Sequence, residues 1–142
     1  MAVTKKNYIY AVGRRRTATA RVRLYKATSV PGHDSVQLLV NDSAAETYFP
    51  GDTSKNAYRQ PFILTETLNK MSASVKVVGG GKAGQLDAVV HGISRALALL
   101  DRDAYRAPLK AAGLLMRDPR AKERRKVGTG GKARRAKQSP KR

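Results

Sequence analysis

The residues with the most obvious chemical potential lie between positions 79 and 95. Gly79-Gly80-Gly81-Lys82-Ala83-Gly84 matches G-x-G-x-x-G, a spacing that lets a strand-to-helix turn approach a pyrophosphate at a helix N-terminus. Beyond it, Asp87, His91 and Arg95 recur at four-residue steps, so a helix would place them on one side, where a carboxylate could orient an imidazole base. Neither set is completed. The dinucleotide fingerprint needs a later parallel strand with an acid at its end to hold the ribose, whereas Asp101, Arg102 and Asp103 open another helical stretch. Ala83 after Lys82 breaks the Walker pattern, and no serine or second carboxylate is spaced to complete a set around His91. The glycines therefore read as a tight turn whose backbone bends or comes close to something, an RNA backbone being one candidate. Asp87, His91 and Arg95 read as surface and packing residues. The chain is expected to be no enzyme, with no cofactor and no small-molecule substrate. With two histidines and no cysteine, disulfides, thiolate sites and zinc sites are not expected.

What remains is positive charge. The chain has 142 residues, 29 Lys or Arg against 10 acids, and a net charge of +19. Arg14, Arg15, Arg16, Arg21 and Arg23 fall in a stretch from Lys5 to Lys26 that contains no acid, so their mutual repulsion is unrelieved unless a polyanion neutralises it. A second block begins at Arg117. It holds twelve Lys or Arg, including Arg120, Arg124, Arg125, Lys126, Lys132, Arg134, Arg135, Lys141 and Arg142, against Asp118 and Glu123. Past Met116 the only aliphatic side chain larger than alanine is Val127, so burial cannot offset the entropy of ordering. This segment needs a polyanion to order it. Extended, the residues after Arg120 would reach roughly 70 Å, enough to thread between RNA helices with arginines pairing phosphates. A membrane surface is disfavoured because the basic segment lacks Trp, Phe and Leu. With no h-region at the N-terminus and no apolar run of membrane-spanning length, the chain is expected to be cytoplasmic, with residues 1–116 forming one domain and residues 117–142 an extended tail. Without an aromatic RNP pattern, a zinc finger or a helix-turn-helix, recognition is expected by shape and phosphate.

The elements that must position these groups follow from periodicity. Strands are predicted at Asn7 to Gly13 and Thr17 to Tyr25, around a basic turn. In the second, Ala18, Ala20, Val22 and Leu24 share one face and Arg21 and Arg23 the other. A third strand is predicted at Val36 to Val40. A short helix should run from a Ser43-x-x-Glu46 capping box to Tyr48, and a second from Asp52 to about Thr67, bent near Pro61. Ser72 to Val78 is strand-like. Leu86, Val89, Val90, Ile93, Ala96, Leu97 and Leu100 mark a helix from Gln85 to Leu100, and a last helix from about Asp103 should stop at Gly113.

With these pieces in order, the chain resembles one family, the ninth protein of the small ribosomal subunit in its bacterial form. The resemblance rests on Val12-Gly-Arg-Arg-Arg-Thr-Ala-Thr-Ala-Arg-Val-Arg23, Tyr48-Phe49, Gln60-Pro61, Val77-Val-Gly-Gly-Gly-Lys-Ala-Gly-Gln85, His91-Gly-Ile-Ser-Arg-Ala-Leu97, Leu109-Lys-Ala-Ala-Gly113, Arg117-Asp-Pro-Arg120, Glu123-Arg-Arg-Lys-Val-Gly128, Lys132-Ala-Arg134 and the terminal Lys141-Arg142. It implies an α+β domain with a four-stranded sheet packed by helices, like the second domain of ribosomal protein five, followed by a long extended basic C-terminal tail. It also implies binding to ribosomal RNA in the subunit head beside neighbouring head proteins. By position, Arg14, Arg15, Arg16, Arg21, Arg23, Arg117, Arg120, Arg124, Arg125, Lys126, Lys132, Arg134 and Arg135 would contact ribosomal RNA. Lys141 and Arg142 would face the anticodon stem-loop of peptidyl-site tRNA. The chain departs from the family at Ser139-Pro140, where the family usually has Phe-Ser before the terminal pair. A free-standing nucleoid or RNA-chaperone protein is the alternative that the charges alone would allow.

Overall fold

The computed structural model describes residues 7–33, 37–125 and 127. The fold is α+β. Strands β1 (Ile9–Arg15), β2 (Ala18–Tyr25), β3 (Leu38–Val40), β4 (Ser43–Ala44) and β5 (Ser72–Val78) form one mixed sheet in the order β1-β2-β5-β3-β4. Helices α1 (Ala45–Tyr48) and α2 (Asp52–Leu64) lie between β4 and β5, and α3 (Lys82–Leu100) and α4 (Arg102–Ala111) follow. All pairings are antiparallel except that of β3 with β5, which α1 and α2 connect. The expected sheet of four strands has a fifth, the two-residue β4.

The alternation in β2 reads out directly. Ala18, Ala20, Val22 and Leu24 are buried beneath α3, and Arg21 and Arg23 are exposed on the other face. The inward row joins Val75, Val77, Val89, Ile93, Ala96, Leu97, Phe62 and Leu109 in one core, each large apolar side chain contributing roughly 1.5–3 kcal/mol through removal from water. Helix α3 approaches β1 closely because Gly13 faces Gly92. A Cβ on Gly13 would lie 1.9 Å from the Ala88 carbonyl oxygen and 2.4 Å from the Gly92 nitrogen.

Several local expectations change. The Ser43-x-x-Glu46 capping box does not form: the N-cap of α1 is Ala44, without a side-chain cap bond, and Ser43 sits in β4. Asn41 and Asp42, both at positive φ, make the two-residue turn that joins β3 to β4, in the left-handed conformations such hairpins require. Val36 lies outside the described residues, and β3 starts at Leu38. Helix α2 runs on through Pro61 to Leu64, and α3 starts at Lys82 instead of Gln85. Helix α4 begins as its sequence suggests, with the Asp101 carboxylate accepting from the amides of Asp103 and Ala104. Past its last turn, Gly113 adopts positive φ.

Candidate nucleic-acid interface

The face of the sheet opposite the helices is built from β1, β2 and β5, and register sets its rows. Val12, Arg21 and Lys76 lie side by side, then Tyr10, Arg23 and Ser74, with Arg14, Thr19 and Val78 in the row on the other side. Arg14, Arg21, Arg23 and Lys76 are exposed, and Arg16 projects from the β1–β2 turn at φ 51°. None of these rows contains an acid, and among the described residues no ion pair engages these five cations. Directly opposed like charges such as Arg21 and Lys76 weaken a sheet unless a counter-charge bridges them. An anionic polymer laid along the strands would do so.

Arg15 departs from its neighbours. It points inward, its side chain is 9% exposed, and its guanidinium is surrounded by protein oxygens. Nε lies 3.3 Å from Asp87 Oδ2, Nη2 lies 2.9 Å from Asp118 Oδ2, and Nη1 donates to the Arg120 carbonyl at 2.7 Å. Arg15 was expected to contact RNA; its observed partners are Asp87 on α3 and, in the segment beyond α4, Asp118 and Arg120. Asp118 in turn accepts from the Arg120 amide and side chain. These bonds, together with the Arg15 charge, hold its carboxyl far below the usual carboxylate range.

The four-residue line on α3 has a related task. Its steps rise about 6 Å, close to the roughly 6.6 Å of two strand residues, so successive side chains meet successive outward-pointing groups of edge strand β1. Asp87 pairs with Arg15, His91 Nδ1 accepts the Arg14 amide at 3.3 Å, and Arg95 donates to the Val12 carbonyl. These bonds occupy backbone groups that an edge strand would otherwise leave open. His91 thus spends Nδ1 on a backbone amide of the strand edge. Burial pushes its pKa down, and the Arg95 and Arg117 charges push it further, against hydrogen bonding with the backbone of Leu115 and of Arg14. Around it Arg14, Arg95 and Arg117 converge on one open concavity, drawn from a strand, a helix and the start of the basic segment.

The glycine motif is a turn. Gly79 and Gly80 have φ of 79° and 66°, and a Cβ on Gly79 would sit 2.4 Å from the Thr17 carbonyl oxygen. What this backbone closely approaches is therefore the β1–β2 turn. Lys82 Nζ lies 3.2 Å from the Tyr48 ring centroid and donates to the Tyr48 carbonyl, so it is engaged by protein.

Arg117, Arg120, Arg124 and Arg125 are exposed. Lys126, Lys132, Arg134, Arg135, Lys141 and Arg142 lie outside the described residues. Sequence reasoning missed Lys76 and Arg95 as members of the cationic surface, since each is a lone cation in an apolar stretch and only strand pairing or helix packing reveals its neighbours. It also passed over Arg102, Arg106 and Lys110, exposed along α4, although their four-residue spacing was legible. Among the described residues no helix is long and apolar enough to cross a membrane, and no cluster of His, Asp and Glu could hold a metal ion.

Comparison with known proteins finds relatives over most of the chain. Residues 13–142 match the family model described as ribosomal protein S9/S16. The chain is 48% identical over 126 residues to small ribosomal subunit protein uS9 of Maridesulfovibrio salexigens, covering 89% of this chain and 91% of that protein. It is 47% identical over 124 residues to uS9 of Solidesulfovibrio magneticus, covering 87% and 89%. For uS9 of Desulfovibrio desulfuricans the identity is 47% over 119 residues, covering 84% and 85%.

Proposed function

This chain belongs to the ribosomal protein S9/S16 family, and on that premise we propose that it is a structural constituent of the small ribosomal subunit that binds ribosomal RNA in the subunit head. The observation that carries the RNA reading is the acid-free row structure of the open sheet face, with Arg14, Arg16, Arg21, Arg23 and Lys76 lacking ion-pair partners among the described residues. Residues 1–116 act as the RNA-seated domain and residues 117–142 as its tail. Arg117, Arg120, Arg124, Arg125, Lys126, Lys132, Arg134 and Arg135 follow ribosomal RNA, and Lys141 and Arg142 face the anticodon stem-loop of peptidyl-site tRNA. Neighbouring head proteins complete its surroundings. Arg15 fixes the point from which the tail departs.

The mechanism is electrostatic and geometric. Cations displaced along strands and tail neutralise successive phosphates and release their counterions, which favours assembly and makes binding steeply salt-dependent. The terminal pair adds charge where an anionic stem-loop is held, and the ~1 kcal/mol scale of exposed charge pairs sets its contribution.

Sedimentation of a lysate at moderate salt tests the first part: the protein should travel with small subunits, and travel with DNA or in the soluble fraction would overturn the assignment. Deleting Lys141 and Arg142 tests the second. Subunits should still assemble, while peptidyl-site tRNA should leave about fivefold faster. Truncated subunits that hold tRNA like the parent would sink the tRNA contact.

A further inference from the structure

One end of the sheet differs in chemistry from its cationic middle. One row beyond the Ile9–Leu24 pair, Tyr8 and Tyr25 face each other with ring centroids 5.9 Å apart and planes inclined at 59°. The Arg23 guanidinium carbon lies 5.3 Å from the Tyr8 ring centroid. Beside them opens a groove of about 560 Å³ whose lining, among the described residues, includes Tyr8, Leu24, Tyr25, Lys26, Pro31 and Leu100 and no acid. Neither Tyr8 nor Tyr25 belongs to the core or to the partly buried side chains packed against it. Among the described residues, packing against the core therefore does not account for their rings. Tyr10, on the same side of β1, is 50% exposed.

Aromatic rings interleaved with arginine and lysine on an open sheet are the arrangement on which unpaired bases stack, the rings supplying π-faces and the cations holding the flanking phosphates. A duplex offers such a surface phosphates, sugars and groove edges but no free base face, since its bases are stacked on one another. We propose that Tyr8, Tyr25 and Arg23, with Lys26 at the rim, form a stacking site for an unpaired RNA base. The site rests on the RNA-binding reading above and sharpens it: the middle of the sheet takes phosphates, and this end takes a base from a loop or bulge. Recognition here is tolerant of base identity, because stacking uses a face that every base has.

The test uses the full-length protein with small-subunit ribosomal RNA transcribed with scattered thiouridine. On irradiation the protein should crosslink at the peptide carrying Tyr8 or Tyr25, from a nucleotide that is unpaired. Tyr8→Leu with Tyr25→Leu should remove that crosslink and weaken binding about tenfold, with an unchanged salt slope because stacking releases no counterions. The corresponding Phe variants should keep both. If the parent binds this RNA with a steep salt response but crosslinks only elsewhere, the stacking site is wrong and the phosphate reading stands. If the parent does not bind the RNA at all, both fail. Leucine variants that fold and bind as tightly as the parent would overturn the site, as would capture of Tyr8 or Tyr25 by another protein in assembled subunits. Thermal unfolding of each variant identifies any that fail to fold, in which case the position of the parent's crosslink decides.

Discussion

Three neighbouring arginines with identical chemistry take different roles because of where their side chains point. Arg14 lies on the open face, Arg16 projects from a left-handed turn residue, and Arg15 is enclosed by Asp87, Asp118 and the Arg120 carbonyl. His91 shows the same dependence on surroundings. Its Nδ1 accepts the Arg14 amide, which requires a neutral ring, and burial with the Arg95 and Arg117 charges lowers its pKa below the ordinary 6.5. A lowered pKa means the folded protein resists the proton that the unfolded chain accepts. The stabilising contribution is therefore present above about pH 6.5 and is lost as the pH falls below it. Urea unfolding at about pH 7.5 and pH 5 should show lower stability at the acid value, and His91→Gln should reduce that difference. An equal acid loss in the variant would show that other groups cause it.

Among the elements, the contact of α3 with β1 governs the geometry. The helix lies close enough for its side chains to reach the strand's free edge because neither Gly13 nor Gly92 has a Cβ, and the facing backbones are too near to admit one. In Gly13→Ala the helix must move or the strand must distort. The expected cost is about 3 kcal/mol or more, at the upper end of overpacking effects, read as a lower urea midpoint at constant slope. A change below about 0.5 kcal/mol, the ordinary range for surface substitutions, would mean that the two backbones are not rigidly held. Displacing α3 would also separate His91 and Arg95 from the strand edge, so the same variant should speed amide exchange along β1. The hairpin of β3 and β4 illustrates how a local signal can mislead. Ser43-x-x-Glu46 has capping spacing, but Asn41-Asp42 immediately before it accepts positive φ, and strand pairing takes Ser43 into the sheet.

For the molecule as a whole, the central relation is between the sheet and the basic segment. Arg15 binds α3 through Asp87 and the segment through Asp118 and Arg120, so the departure point of the chain after Leu115 is fixed relative to the cationic face. Arg117 is thereby held beside Arg14 and Arg95, making the sheet surface and the start of the basic segment continuous in charge. Arg15→Met keeps much of the side chain's bulk but removes all of these bonds. The domain should stay folded by circular dichroism, while trypsin should cut after Arg117 or Arg120 about tenfold faster, the scale on which losing a charge-assisted hydrogen bond shifts a local opening equilibrium. Cleavage at the parent rate would show that the segment is held by something else.

Much of this was legible in the sequence because it depends on local order. The period of two in β2, the helical spacing from Leu86 to Leu100, the Gly113 stop and the absence of acids from Lys5 to Lys26 are properties of short stretches. They determined the strand and helix segments, the buried row of β2, and the cationic character of Arg21 and Arg23, while the α+β class was implied by the resemblance to a family. Tertiary structure alone decided which groups meet. Lys76 becomes part of the cationic face because β5 pairs with β2 and brings it beside Arg21. Arg15 becomes a brace because α3 and the segment after α4 bring two carboxylates to it. Charge and periodicity are written along the chain, whereas the partner of a charge depends on register and packing between residues distant in sequence.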